Sequence, residues 1–393
     1  MKKDWEYKTL KEISIIYGNY GLSVSSIPYN GVRYLRITDI TENGELNDDK
    51  VSADISSGKT QEELQEGDIL FARTGATVGK TLIYRKEFGK CLFAGYLIRY
   101  RLNKDIVIPQ FIHHFTHSSG YYKWVSSNQK AAAQPNIGAK IYNELRIPVP
   151  PLSEQKEIVE YLDSSFAKID KLKENAAKNL EEAKALFQSA LKDALEPKEG
   201  WEEKMLKELT NKISDGSHNP PTGLSYSEYR MLSSKNVRND NFSFDNPRYL
   251  SEDDFQKENK RTQLEKGDVL LTIVGAGLGD CCVYNFDDVI VFQRSVSVLK
   301  PNYDKITSRF LMYSLQFRYD DIRKKSNGAA QKGIYLKQLA AYSLKLPSIK
   351  EQQSIVSHLD SINEKVNTLQ QNYSRICDEC DALKQAILRQ VFE

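Results

Sequence analysis

The sequence predicts an α+β protein: two copies of one strand-rich, mixed α/β domain, separated by two long helices that pair as an antiparallel coiled coil with pseudo-two-fold symmetry. Three observations carry this prediction. The chain repeats itself at an offset of 196 to 200 residues along its whole length. Each repeat opens on short apolar runs separated by Gly and Asn turns. Each repeat closes on a sustained heptad of apolar residues.

The repeat sets the order of elements. Trp5 through Ile13 (WEYKTLKEI) returns as Trp201 through Leu209 (WEEKMLKEL). Glu66-Gly67-Asp68-Ile69-Leu70 returns as Lys266-Gly267-Asp268-Val269-Leu270. Gly75 through Gly79 returns as Gly275 through Gly279, and Pro150 through Asp163 returns as Pro347 through Asp360. Boundaries follow at 1–150 for the first domain, 151–198 for its helix, 199–346 for the second domain and 347–393 for the second helix. Within each domain, runs such as Asp68–Ala72 and Gly267–Val274 read as buried strands, and helices are expected at Gln110–His117 and Ser308–Phe317.

The C-terminal helix places Ile355, Leu359, Ile362, Val366, Leu369, Tyr373, Ile376, Cys380, Leu383 and Ile387 at alternating steps of four and three, a coiled-coil seam. The central helix is looser, with Leu162, Phe166, Ile169, Ala176, Leu180, Ala183, Phe187 and Ala190. Alanines there let a partner helix approach closely. Ser153-Glu154-Gln155 after Pro150-Pro151 reads as a helix start, and Pro197 ends the helix. Two matching seams in one chain most simply pair with each other.

Composition excludes several classes. The 393 residues are 40% hydrophobic and 27% charged, with a formal net charge of +2 and a mean hydropathy of −0.54. No apolar run reaches the roughly 18 residues of a membrane span. The opening Met1–Trp5 has no signal-peptide core, and five scattered cysteines suit a reducing compartment; a cytoplasmic protein without a membrane partner is expected. A self-sufficient DNA binder is usually strongly basic, so DNA binding here must use local patches or a more basic partner.

Motifs of catalysis fail on inspection. Gly75–Thr81 (GATVGKT) is one residue short of a P-loop, and its second copy has Asp280 where Lys80 stands. Asn219-Pro220-Pro221-Thr222 lacks the aromatic residue that adenine methyltransferases stack on a flipped base. Cys377 and Cys380 form a lone C-x-x-C, and the five histidines are too scattered for a metal site. What remains is polar divergence on a shared framework: Arg33–Asp39 (RYLRITD) aligns with Arg230–Asn236 (RMLSSKN), and Arg73-Thr74 with Ile273-Val274.

These features together resemble the specificity subunits of type I restriction-modification enzymes. The carriers are Pro150–Asp163 and its copy Pro347–Asp360, Gly67–Lys80, Gln134-Pro135-Asn136-Ile137, and Asp215-Gly216-Ser217-His218-Asn219-Pro220-Pro221, which matches a D-G-x-H-x-x-P opening. The resemblance implies a non-catalytic DNA-recognition subunit. Each target-recognition domain reads one half of a bipartite asymmetric site in double-stranded DNA. The helices set the spacer and dock two modification (methyltransferase) subunits. S-adenosylmethionine belongs to those subunits, and ATP with Mg²⁺ to restriction (translocase) subunits; this chain holds no cofactor and no metal. The second domain departs from the pattern at Asp280 and at Gln331-Lys332-Gly333-Ile334.

Residues able to read base edges or hold phosphate give the candidate DNA contacts: Arg36, Thr38, Asp39, Arg73, Thr74, Lys80, Lys130 and Gln134 in the first domain, and Ser217, His218, Lys235, Asn236, Arg238, Gln331 and Lys332 in the second. Glu154, Gln155, Leu162, Phe166, Glu351, Gln352, Leu359, Ile362 and Leu369 are the candidate spacer and partner positions. Two rival readings stand beside this one: a DNA nuclease with an unfamiliar site, and a coiled-coil scaffold that reads no sequence. Within the family, the partners can also form a methylation-only or phase-variable system.

Overall fold

The structure is a computed structural model and describes residues 5–129, 135–318, 320–322 and 333–393. The chain divides into two compact units, Met1–Ala177 with Ser374–Glu393, and Lys178–Tyr373. Each unit contains one strand-rich domain and part of both long helices, which run Leu152–Leu195 and Ile349–Phe392.

The two domains share the topology of their main sheet. In the first, a four-stranded antiparallel sheet runs in the order Ser14–Tyr20, Leu97–Leu102, Ile69–Ala72, Thr81–Ile83. In the second, the order is Thr210–Asp215, Val296–Pro301, Val269–Thr272, Cys281–Val283. The inner strands Ile69–Ala72 and Val269–Thr272 are buried at every position, as their unbroken apolar sequence requires. Ser14–Tyr20, at the sheet edge, alternates instead. A second feature is also duplicated: Arg33–Leu35 pairs in parallel with Cys91–Phe93, and Arg230–Leu232 with Val291–Phe292. The expected helices are present as Pro109–Phe115 and Ser308–Phe317. A further helix, Ser119–Asn128, was not foreseen; Ser118 caps it by accepting from the Tyr121 amide.

The repeated motifs are explained by what they hold. Asp68 is fully buried, accepts from the Gln65 amide at 2.9 Å and pairs with Arg101 at 2.8 Å. Asp268 repeats this with the Glu265 amide at 2.8 Å and Lys300 at 2.9 Å. The Gly-Asp pair is thus a turn lock at the start of the inner strand. Trp5 donates to Glu154 at 3.2 Å, and Trp201 to Glu351 at 3.3 Å, so the first residues of each domain are tied to the first turn of its helix.

Gln155 and Gln352 are fully buried. Gln155 Oε1 accepts from the Ile108 amide at 2.8 Å, while its Nε2 donates to the carbonyls of Ile106 at 3.0 Å and Pro150 at 2.7 Å. Gln352 makes the same three bonds, to Thr307 at 3.1 Å, Lys305 at 2.9 Å and Pro347 at 3.1 Å. These two candidate partner positions are internal clamps between helix and domain, with no side-chain surface to offer a second subunit.

Within each unit the helices pack antiparallel. In the first, Lys173 pairs with Asp381 at 2.6 Å and Lys384 with Asp170, so positions rise along one helix as they fall along the other. Leu162, Leu388 and Phe392 join the domain core beside Phe111, and Ile169, Ala176 and Cys380 are buried. In the second, Leu191 and Leu195 of the central helix share a core with Ile355 and Leu359. The expected seam needs two corrections: Leu369 is 37% and Leu383 49% exposed. A straight helix drifts about 20° per heptad from a strict seven-residue repeat. Burial therefore continues from Cys380 in steps of four, through Lys384 to Leu388 and Phe392, with the Lys384 ammonium 5.4 Å over the Phe166 ring.

Candidate nucleic-acid interface

The polar divergence seen in the sequence falls on one place in each domain, at the C-terminal end of the parallel strand pair. In the first domain a cleft of about 700 Å³ is lined by Tyr34, Arg36, Thr38, Arg73, Gly95 and Tyr96, among others. In the second, a cleft of about 510 Å³ is lined by Ser233, Lys235, Asn236, Arg248 and Gln293, among others.

Backbone hydrogen bonds give the correspondence without reference to side chains. The amides of Ala94 and Gln293 donate to the carbonyls of Leu35 and Leu232, and those of Arg73 and Ile273 to the carbonyls of Tyr96 and Ser295. Arg36, Thr38, Arg73 and Tyr96 therefore stand where the second domain has Ser233, Lys235, Ile273 and Ser295. A glycine permits the close chain crossing beside each cleft. A Cβ on Gly21 would lie 2.2 Å from the Phe93 carbonyl oxygen, and one on Gly216 2.0 Å from that of Phe292.

The candidate contacts separate into groups. Thr38 and Lys235 are exposed at equivalent positions. Arg73 is partly buried, with its guanidinium 4.8 Å over the Tyr20 ring and its Nε buried without a hydrogen-bond partner. Arg36 faces the cleft but pairs with Asp39 at 2.7 Å and Asp49 at 2.6 Å; the hydrogen bond to the Asp39 carboxylate is the main reason its pKa is raised. His218 is 53% exposed and bonds Asp215 at 2.7 Å, and Asp215 also meets Arg261 at 3.2 Å.

Other candidates are engaged by the fold. Asp39 is 1% exposed and caps a 3₁₀ turn by accepting from the Arg36 amide at 2.8 Å. Asn236, its counterpart, is 4% exposed, accepts from the Ser233 amide at 3.0 Å and donates to the Asp245 carbonyl at 2.8 Å. Ser217 is buried, with its amide on the Phe292 carbonyl. These three have no free edge for a base. Arg238 donates to the carbonyls of Ser234 at 2.9 Å and Val237 at 2.8 Å, closing the equivalent turn in its own domain. Lys80 pairs with Glu42 at 2.7 Å. Thr74 forms a backbone bridge to Asn136, as Val274 does to Gly333. Lys130, Gln134, Gln331 and Lys332 lie outside the described residues.

Sequence reasoning missed Tyr20 and Tyr96, which are 45% and 60% exposed, and the partly buried Arg248 and Gln293 and exposed Arg294. The available signal was the second strand of the parallel pair: Ala94-Gly95-Tyr96 aligns with Gln293-Arg294-Ser295 on the same framework. The P-loop look-alike is a hairpin turn, with Gly75 at φ +68 and Gly79 at φ +89 leading into the strand Thr81–Ile83. The cysteines Cys281 and Cys282 are buried in a strand, where burial raises the Cys282 thiol to about 12. No helix among the described residues is long and apolar enough to cross a membrane.

Comparison with known proteins agrees with this duplicated framework. The chain is 26% identical over 364 residues to the Type I restriction enzyme EcoKI specificity subunit of Escherichia coli (strain K12), covering 85% of this chain and 76% of that one. It is 26% identical over 397 residues to the putative type I restriction enzyme MjaX specificity subunit of Methanocaldococcus jannaschii, covering 93% and 88%. Two solved structures share the fold at 20% identity. A chain from a study of complex assembly and conformational transition of the type I R-M system superposes with a TM-score of 0.79, covering 99% of this chain and 97% of that one. The HsdS subunit from Thermoanaerobacter tengcongensis gives 0.57, covering 99% and 96%. The family model "Type I restriction modification DNA specificity domain" matches twice, at residues 2–182 and 198–376, one match per repeat, and the chain belongs to that family.

Proposed function

We propose that this chain is the sequence-reading subunit of a type I restriction-modification complex, with recognition domains at 1–150 and 199–346 each reading one half of a bipartite, asymmetric DNA site. The helical segments 151–198 and 347–393 set the spacer and dock two modification subunits. The observation that carries the proposal is the pair of clefts built on equivalent strands with unlike polar faces: Arg36, Thr38, Arg73 and Tyr96 in one, Ser233, Lys235, Arg248 and Gln293 in the other. A shared backbone with different donors and acceptors is what two different half-sites require.

Each 44-residue helix has a length of about 66 Å at 1.5 Å per residue. The near-neutral charge fits a subunit whose partners supply much of the phosphate neutralisation, so its own DNA affinity is weak and falls steeply with salt. S-adenosylmethionine enters with the modification subunits, and ATP and Mg²⁺ with restriction subunits where these are present. The complex acts inside the cytoplasm, where its DNA is. The test is to exchange Arg36 and Thr38 of one cleft for Ser233 and Lys235 of the other and bind the assembled complex to randomised DNA. A change confined to one half-site is expected; an unchanged selected site would overturn the assignment of the clefts.

A further inference from the structure

In each domain a small hairpin follows the 3₁₀ turn beside the cleft and reaches back to that domain's own helices. In the second domain it is Val237–Arg238 paired with Asn241–Phe242. It lies between the two segments that wall the cleft, with Lys235 and Asn236 before it and Ser243 and Asp245 after it. The Ser243 amide donates to the Asn236 carbonyl at 3.0 Å, so both walls move with the hairpin. Asp240, at the tip, has φ +53, a left-handed backbone otherwise left to Gly and Asn. Its amide donates to the Cys281 carbonyl at 2.9 Å, and its side chain is 18% exposed.

Arg309, in the helix Ser308–Phe317, bridges from that tip to the long C-terminal helix. Its guanidinium meets both carboxylate oxygens of Asp240 and pairs with Asp360. Asn363, one turn further along the long helix and 8% exposed, donates to Asp240 at 2.5 Å. The Tyr313 hydroxyl accepts from Arg309 and donates to Asp360, each at 2.6 Å. A planar guanidinium shared by carboxylates on two elements fixes direction as well as distance.

The first domain fastens its hairpin without this bridge. The glutamine clamps make Ile108 equivalent to Thr307, so Gln110 stands where the second domain has Arg309, and His114 where it has Tyr313. The contact of Tyr313 with the long helix is kept, as His114 bonds Asp163 at 2.8 Å. The ionic bridge is not. Instead the matching turn, Thr41–Glu45, packs Gly44 directly against His113 and His117, with no space for a side chain between them. One fold thus uses two different devices to hold the same hairpin. We propose that Arg309 is a positioning residue for sequence reading: through Asp240 it ties the hairpin of the second cleft to the long helix and holds both cleft walls in reading geometry. This rests on the reading of that cleft as a DNA contact. Base discrimination needs its side chains held to within about 0.5 Å, which a loose two-residue-strand hairpin does not supply by itself.

The experiment binds the assembled complex of full-length chain and modification subunits to randomised DNA, using the parent, Asp240→Gly, Arg309→Gln and the double variant. Asp240→Gly suits the backbone at φ +53 and removes only the carboxylate. Arg309→Gln gives the position the residue that the first domain has there. Each single variant should flatten the base preferences of one half-site by about three- to tenfold, with the other half-site and the spacer as in the parent. The double variant should lose no more than either single, because both cut one bridge. Melting curves check that each variant is folded; if Arg309→Gln, which leaves two carboxylates without their shared cation, is not, Asp240→Gly decides. Parent-like preferences in Asp240→Gly, or flattening of both half-sites together, would overturn the role of Arg309. A parent complex that selects no bipartite site would overturn the DNA reading of the clefts, and this proposal with it.

Discussion

Replacing Gln352 by alanine should loosen the second domain from its helix, and Gln155→Ala the first. Each side chain makes three hydrogen bonds to backbone groups of the domain and of the proline segment that precedes the helix. A net contribution of about 1 kcal/mol per bond gives roughly 3 kcal/mol, and leaving buried backbone groups unpaired raises the expected loss to about 3–5 kcal/mol. Gln155→Glu is the sharper variant. It keeps the acceptor for the Ile108 amide but turns a donor into an oxygen facing the carbonyls of Ile106 and Pro150. The assay is hydrogen exchange by mass spectrometry, which reports each unit separately where a single unfolding curve would mix them. Amide protection around 103–117 should fall by roughly two orders of magnitude for Gln155→Ala, while 302–317 is unaffected, with the reverse for Gln352→Ala. Changes below about 0.5 kcal/mol, in the range of an ordinary surface substitution, would refute the clamp.

Other substitutions test neighbouring parts of the structure. Asp39→Ala and Asn236→Ala remove equivalent caps and should each cost about 1–2 kcal/mol in thermal or urea unfolding, whereas Lys235→Ala should leave stability intact and weaken or alter one half-site in DNA-selection assays. Gly21→Ala and Gly216→Ala force a Cβ to within 2.2 and 2.0 Å of backbone carbonyl oxygens; each should cost several kcal/mol, measured by melting, and loss of soluble folded chain is an acceptable positive outcome. On the helices, Leu172 and Leu383 are 52% and 49% exposed. Changing either to serine should move stability by less than about 0.5 kcal/mol while reducing co-purification of the modification subunit.

The duplication was the most legible feature of the sequence because it is a statement about order and spacing, and sheet order, the parallel strand pair and both long helices follow it in each half. The inner strands were legible for the same reason, as apolar runs with no polar interruption. Leu369 apart, the seam was readable until it left the heptad after Cys380, since burial there follows the 3.6-residue turn and the face of the domain core, neither of which a strict heptad count contains. Site residues were less legible. Asp39 and Asn236 look like readers because they are polar and differ between copies, yet both are buried caps; polarity does not distinguish a hydrogen bond to a base from one to the chain's own backbone. The role of Gln155 was invisible for the converse reason, that its partners are main-chain groups.

The central claim is most directly tested by single-molecule methylome sequencing of a host that lacks other adenine methyltransferases and expresses this chain with its modification subunit. A bipartite N6-methyladenine motif is predicted for the parent chain. Exchanging Lys235 and Arg294 should alter one half of the motif, exchanging Arg73 and Tyr96 the other half, and neither should change the spacer. An assembled complex that leaves no motif, or a motif in which either exchange alters both halves, would contradict two independent readers on one framework.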